Sequence, residues 1–250
     1  MGIVYKGEVI IMDIKRQYFD LIKERINTVY ESEKDKIKQV AEMFGQCMQN
    51  QGVVQLFGVN HGEEFVNELN YRAGGIAPFH AYKLKDLVLK EMIKQEDIDS
   101  CKIYSDLSVL DLLPQAYQLD DRDMHCLVSY YGNEPLIVEM AKRAKAKGQK
   151  VVGVVNKKAY DKVGGTLLDY CDIYLDMCAP EVDIAMEIDG TPVGQLSSTS
   201  TNVMAQMITA EVYNWYVSNG KTAPVLLSAN VKGADIHNNS LTDPYERRVR

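Results

Sequence analysis

The stretch "HCLVSYYGNEPLIVEMAKRAKAKGQKVVGVVN", residues 125–156, decides the fold. Cys126 to Ser129 reads as a short apolar strand that gives way to a polar loop. Asn133 is placed to cap a helix, and Glu134 suits its electropositive first turn. Pro135 fits there because no helical partner awaits its missing N–H. Ile137, Met140, Ala141 and Ala144 recur at helical spacing as one apolar stripe, basic residues crowd the last turn, and Gly148 is the stop. Val151 to Val155 is then apolar without alternation, the pattern of a strand covered on both faces. Strand, helix and strand joined by short connections make a βαβ crossover, which requires a parallel sheet.

The flanking sequence extends this α/β pattern. Further strands are expected at Val53–Phe57, Ile76–His80 and Ile173–Asp176, while "VDIAMEIDG", residues 182–190, is either a short strand or a turn-rich connection. A long helix is expected from about Ser198 to Val217, with Val203, Met207, Ala210 and Val212 toward the core. Ahead of the sheet, Ile14, Tyr18, Leu21, Ile22, Ile26 and Val29 define one amphipathic helix. Ile37, Val40, Ala41, Phe44 and Met48 define a second, ended by Gly52. The expected organisation is one structural domain. Residues 1–51 are helices packed on the domain or on a dimer interface, and residues 52–250 hold the sheet.

Composition narrows the function. The net charge of −7 over 250 residues leaves no basic excess to neutralise phosphates, so no nucleic-acid partner is expected. Cys47, Cys101, Cys126, Cys171 and Cys178 are odd in number without a CxxC pair, and read as reduced core residues of a cytoplasmic protein. The opening residues lack a continuous apolar segment and no run is long enough to span a membrane, so no membrane partner is expected. HExxH, clustered Cys and His, GxGxxG and GxxxxGK[ST] are all missing from the chain, so neither metal nor cofactor is expected.

Open parallel sheets bind ligands beyond the carboxyl ends of their strands. Three segments are expected to meet there: Gly58–Gly62, Ser129–Glu134 and Gly194–Asn202. In the last, one hydroxyl would cap the helix, yet five stand in a row from Ser197 to Thr201. Hydroxyls with free helix N–H groups make a cradle for a phosphate dianion.

The run "ELNYRAGGIAPF", residues 68–79, resembles a segment of the sugar isomerase (SIS) domain family, in particular its stand-alone, UPF0309-like members. The likeness continues through "EMAKRAKAKGQKVVGVV", "LLDYCDIYLD", the hydroxyl-rich helix start and "APVLLSANVKGADIHNN", and so covers about residues 52–250. The resemblance implies a three-layer αβα sandwich on a parallel, flavodoxin-like sheet, usually a homodimer. It also implies a ligand that is a phosphorylated sugar or amino sugar. Two loops depart from the family pattern. Ser129-Tyr130-Tyr131-Gly132 stands where S-x-S-G is usual, so Tyr131 replaces a phosphate-binding hydroxyl. Val59-Asn60-His61-Gly62 stands where Gly-His-Ser-His is expected.

Aldose–ketose isomerisation needs a base at adjacent carbons and an acid for ring opening. The resemblance offers Glu68 as that base, against its reading as a helix-surface partner of Arg72 at the i+4 spacing. His61 is the candidate acid, or else an ordinary turn residue. Substrate contacts are expected from Gly58, Asn60, Arg72, Ser129, Tyr131, Asn133, Ser197, Ser198 and Thr199, with His237 either reaching a site from the C-terminal loop or simply solvated. Two functions stay open: a sugar-phosphate or amino-sugar-phosphate isomerase or lyase, and a non-catalytic phosphosugar-binding module.

Overall fold

Five short apolar runs pair into one parallel sheet in the computed structural model, whose described residues are 2–5, 8–11 and 13–249. Met1, Lys6, Gly7 and Met12, in the expected 1–51 segment, and Arg250, in the expected 52–250 segment, lie outside them. The chain begins with an antiparallel hairpin, β1 (Gly2–Tyr5) and β2 (Glu8–Ile11), followed by helix α1 (Ile14–Gln49). Next come β3 (Val54–Gly58), α2 (Gly62–Leu69), β4 (Phe79–Ala81), and the short helices α3 (Leu84–Leu89), α4 (Gln95–Asp99) and α5 (Val109–Ala116). The quoted crossover supplies β5 (Met124–Val128), α6 (Pro135–Ala146) and β6 (Val151–Val155). After α7 (Lys157–Val163) and β7 (Ile173–Asp176), a hairpin of β8 (Met186–Ile188) and β9 (Thr191–Val193) leads into α8 (Ser197–Ser218) and α9 (Ala234–Thr242).

The strand order is β4-β3-β5-β6-β7, parallel throughout. Because side chains alternate across a strand, each strand feeds two cores. Val54, Leu56, Cys126, Val128, Val152 and Val154 pack with α1, α2 and α8. Phe57, Leu127, Val151 and Val155 pack with α5 and α6 on the opposite face. The result is the expected three-layer αβα sandwich.

Several local expectations are corrected. The two N-terminal helices are one continuous 36-residue helix, because no breaker separates their apolar stripes and α8 supports the second half. Gly45 lets the two helices approach: a Cβ there would meet the Trp215 ring at 2.1 Å. Ile37 and Phe44 are buried as expected, but Tyr18 and Ile22 are half-buried and Ile14 is exposed. The turn after α1 places its left-handed residue at Gln51 rather than at Gly52. Of the residues expected as a strand from Ile76, only Phe79 onward joins the parallel sheet, while Ile76 forms an isolated antiparallel bridge with Val225. In α8 the buried stripe is Met204, Ala205, Ile208 and Val212, while Ala210 points to solvent. Asn133 is not the N-cap of α6; Glu134 takes that position. Of the cysteines, Cys101 is exposed rather than in the core.

Strand β3 ends at Gly58 because the chain folds back onto itself. A Cβ there would stand 2.7 Å from the carbonyl carbon and oxygen of Gly62, at the start of α2. Gly58→Ala should therefore lower stability by roughly 1–3 kcal/mol, the usual cost of overpacking. Urea denaturation read by circular dichroism measures it, and an unchanged midpoint would count against the close approach.

Candidate functional site

The carboxyl ends of β3 and β5 open into a cleft of about 270 Å³. One wall is the β3–α2 turn: Val59, Asn60, His61 and Gly62. Asn60 has φ +53, and the left-handed region suits asparagine better than most residues. The turn closes by Gly62 N–H donating to the Val59 carbonyl and Glu63 N–H to that of Asn60, at 3.0 and 3.1 Å. His61 occupies the N-cap position of α2 without a side-chain capping bond, and its ring is exposed. Asn60 and His61 lie at this edge, but the cleft they line does not include Ser197, Ser198 or Thr199.

The second wall is the loop from β5 to α6, contributing Tyr130, Tyr131 and Glu134. The two tyrosine rings meet edge-on with centroids 5.0 Å apart, and the Tyr130 hydroxyl donates to the Pro180 carbonyl at 2.5 Å. Ser129 is 2% exposed and does not line the cleft. Its hydroxyl donates to the Glu134 carboxylate in a very short contact and accepts from Gly132 N–H at 2.6 Å. Burial pushes the Glu134 carboxyl above its ordinary range, while backbone hydrogen bonds from Glu134, Asn133 and Tyr131 pull it back down. The hydroxyl of this loop is thereby committed to one carboxylate.

The third wall comes from Asp183 and Gln195, ahead of α8. Asp183 accepts from the N–H groups of Leu196 and Ser197 at 3.0 and 3.1 Å, and from the Ser197 hydroxyl at 2.5 Å. It is the side chain that caps α8 from fourteen residues upstream, where a free N-terminus would attract an anion. Tyr18 of α1 steadies the same segment by donating to the Gln195 carbonyl at 2.6 Å.

The other expected site residues are not brought into this cleft. Ser197 is committed to Asp183, and Thr199 is exposed. The Ser198 hydroxyl and the Asn202 amide oxygen are buried with no hydrogen-bond partner among the described residues. Asn133 is exposed, and Gly58 lies beneath the turn rather than on its surface. Glu68, on α2, accepts from Gln206 of α8 at 2.7 Å and pairs with Arg72, so the i+4 partnership read from sequence is formed. His237 lies on α9 with its Nε2 against the Val225 carbonyl at 2.9 Å. Glu134, Asp183 and Gln195 were missed as site residues. Glu134 carries a local signal, a carboxylate immediately before the Pro135 helix start; Asp183 carries none, since its role depends on a long connection.

Among the described residues no helix is long and apolar enough to cross a membrane, and no group of three or more His, Cys, Asp or Glu could hold a metal ion. Asp183→Ala should cost roughly 1–2 kcal/mol of stability, the usual price of a lost cap. It should also speed hydrogen exchange in the first turn of α8, read residue by residue. Unchanged exchange there would refute the capping role.

A model of the SIS domain matches residues 17–156. The chain is 30% identical over 241 residues to a UPF0309 protein of Halalkalibacterium halodurans, spanning 93% of this chain and 94% of that protein. It is 27% identical over 245 residues to a UPF0309 protein of Geobacillus thermodenitrificans, with 93% and 95% covered. Among solved structures, a phosphoheptose isomerase from Francisella tularensis superposes with a TM-score of 0.52 at 16% identity, covering 80% of this chain and 96% of that one. The Vibrio vulnificus NanR protein complexed with ManNAc-6P gives a TM-score of 0.52 at 12% identity, covering 94% and 70%. At these identities the structures speak for the fold alone. Sequence match and sheet topology agree: the chain belongs to the SIS domain family.

Proposed function

We propose that the protein binds a phosphorylated sugar or amino sugar in the cleft at the carboxyl edge of the sheet. The observation that carries this reading is the convergence of the β3–α2 turn, the β5–α6 loop and the segment before α8 on one cavity. Its volume of about 270 Å³ is at the lower limit of small-molecule sites, which suits a monosaccharide derivative. The amides of Asn60 and Gln195, the His61 imidazole and the Tyr131 phenol offer donors and acceptors for hydroxyls. Proteins of the same fold support the ligand class: NanR is complexed with ManNAc-6P, and the Francisella tularensis protein is a phosphoheptose isomerase.

Binding without turnover is the reading that the side chains favour, since Glu68 is engaged by Arg72 and Gln206 outside the lining of the cleft. An isomerase or lyase is the second reading, favoured by the exposed His61 ring beside the cavity, where it could move a proton. Five free cysteines support residence in the reducing cytoplasm.

A thermal-shift screen over hexose, heptose and amino-sugar phosphates should find a stabilising ligand, because binding to the folded state raises its stability by RT ln(1 + [L]/Kd). Asn60→Ala should weaken that ligand by roughly tenfold, the worth of one well-placed hydrogen bond. With the ligand bound, no deuterium should enter its C2 position from heavy water. Exchange that Glu68→Gln abolishes would decide for the enzyme instead, and the absence of any stabilising sugar phosphate would end the proposal.

A homodimer belongs to the same proposal. It is supported by the N-terminal half of α1, whose Tyr18 and Ile22 are half-buried and whose Ile14 and Phe19 stand exposed at 38% and 55%. Sedimentation equilibrium should give twice the chain mass, and Ile22→Glu should halve it. A monomeric wild type at ligand-binding concentrations would overturn this assignment.

A further inference from the structure

The β5–α6 loop has the parts of an anion seat, and the seat is taken. Ser129 sends its hydroxyl toward one carboxylate, and the Gly132 N–H donates to the same Ser129 oxygen. That carboxylate is the side chain of Glu134 itself. The N-terminus of α8 repeats the arrangement, with Asp183 drawing the N–H groups of Leu196 and Ser197 and the Ser197 hydroxyl. Two of the three helix starts at the cleft, those of α6 and α8, thus hold an internal anion, while that of α2 has no side-chain cap. No lysine or arginine lines the cleft among the described residues, and His61 is its one basic side chain.

A phosphate dianion brought beside these carboxylates meets like charge. Like charges held close at a protein surface repel, and that repulsion weakens a phosphate's binding there. A neutral or amine-bearing sugar meets no such barrier: carboxylates accept hydrogen bonds from hydroxyls and attract an ammonium.

We infer that Glu134 is a built-in occupant of the phosphate seat and the residue that sets ligand class. A phosphosugar enters the seat only by displacing this carboxylate from the Ser129 hydroxyl, whereas an unphosphorylated amino sugar binds with Glu134 in place. The inference rests on the reading of this cleft as a sugar site. It explains the side chain at position 134 chemically, since serine there would complete an empty cradle and glutamate fills it.

The test is calorimetric titration of the full chain and its Glu134→Ser variant with glucosamine 6-phosphate, glucosamine and inorganic phosphate. Serine is a favoured N-cap, so the start of α6 is retained, and melting curves without ligand verify it. The isosteric Glu134→Gln keeps the size of the occupant and removes its charge. Glucosamine 6-phosphate and inorganic phosphate should bind Glu134→Ser roughly tenfold or more tightly than wild type, with Glu134→Gln between them. Glucosamine should bind wild type more tightly than Glu134→Ser. Equal affinity of all three proteins for the phosphates would overturn the role of Glu134 and leave the phosphosugar reading standing. Failure of every protein to bind any of the three ligands would remove that reading and this inference together.

Discussion

The structure hangs on one buried carboxylate. Asp123, 3% exposed, sits just ahead of β5 and accepts from Val53 N–H and from the Gln55 amide at 2.9 Å each, and from Asp120 N–H at 3.1 Å. The guanidinium of Arg248, near the end of the chain, closes on it as a fourth donor. An ionised carboxylate is costly to bury unless its lone pairs are filled, and here four donors from separate parts of the chain fill them. Asp123 thereby aligns β3 with β5 and ties the C-terminal turn beneath the sheet. Removing one partner from such a set commonly costs about 3–5 kcal/mol, because the rest is left buried and unpaired.

The polar chain continues from this anchor. Gln55 donates its amide to Asp123, so its carbonyl must accept, and His80 Nδ1 must be the donor at 2.9 Å. Burial lowers the His80 pKa to about 4 and keeps its ring neutral at ordinary pH. These groups lie at the amino ends of β3, β4 and β5, opposite the cleft. The sheet is therefore pinned at one edge by satisfied polar groups, while its other edge presents turns and helix starts. That division leaves the carboxyl edge free to carry Tyr131, to set Glu134 against the Ser129 hydroxyl and to set Asp183 against the amides of α8, without disturbing the registered strands below.

Much of the architecture was legible because it rests on local periodicity. Val151–Val155 and Ile173–Asp176 are strands at the expected limits, and Pro135 marks the start of α6. Errors fell where tertiary contact overrules local preference. The apolar stripe of α8 was placed only in part, Val212 being buried and Met207 packed on the core but Ala210 exposed, because its own pattern is weak and the packing of α1 and α2 against it decides which residues are covered. The two stripes of the N-terminal segment belong to one helix with no Gly or Pro between them, and packing of α8 beside Gly45 and Trp215 covers only its second half.

The sequence by itself determined the fold class and the three loops that meet, because hydrophobic period, helix caps and chain order are properties of neighbouring residues. It also set the pairing of Glu68 with Arg72, whose i+4 spacing on one helix needs nothing distant. Only the tertiary structure decided what the loops hold. Asp183 reaches α8 across the β8–β9 hairpin, Tyr18 reaches Gln195 from the far end of the chain, and Glu134 turns back onto Ser129. The physical reason is the range of the forces: propensity acts over a few residues, whereas a hydrogen-bond donor facing a cavity takes whichever acceptor the finished fold delivers.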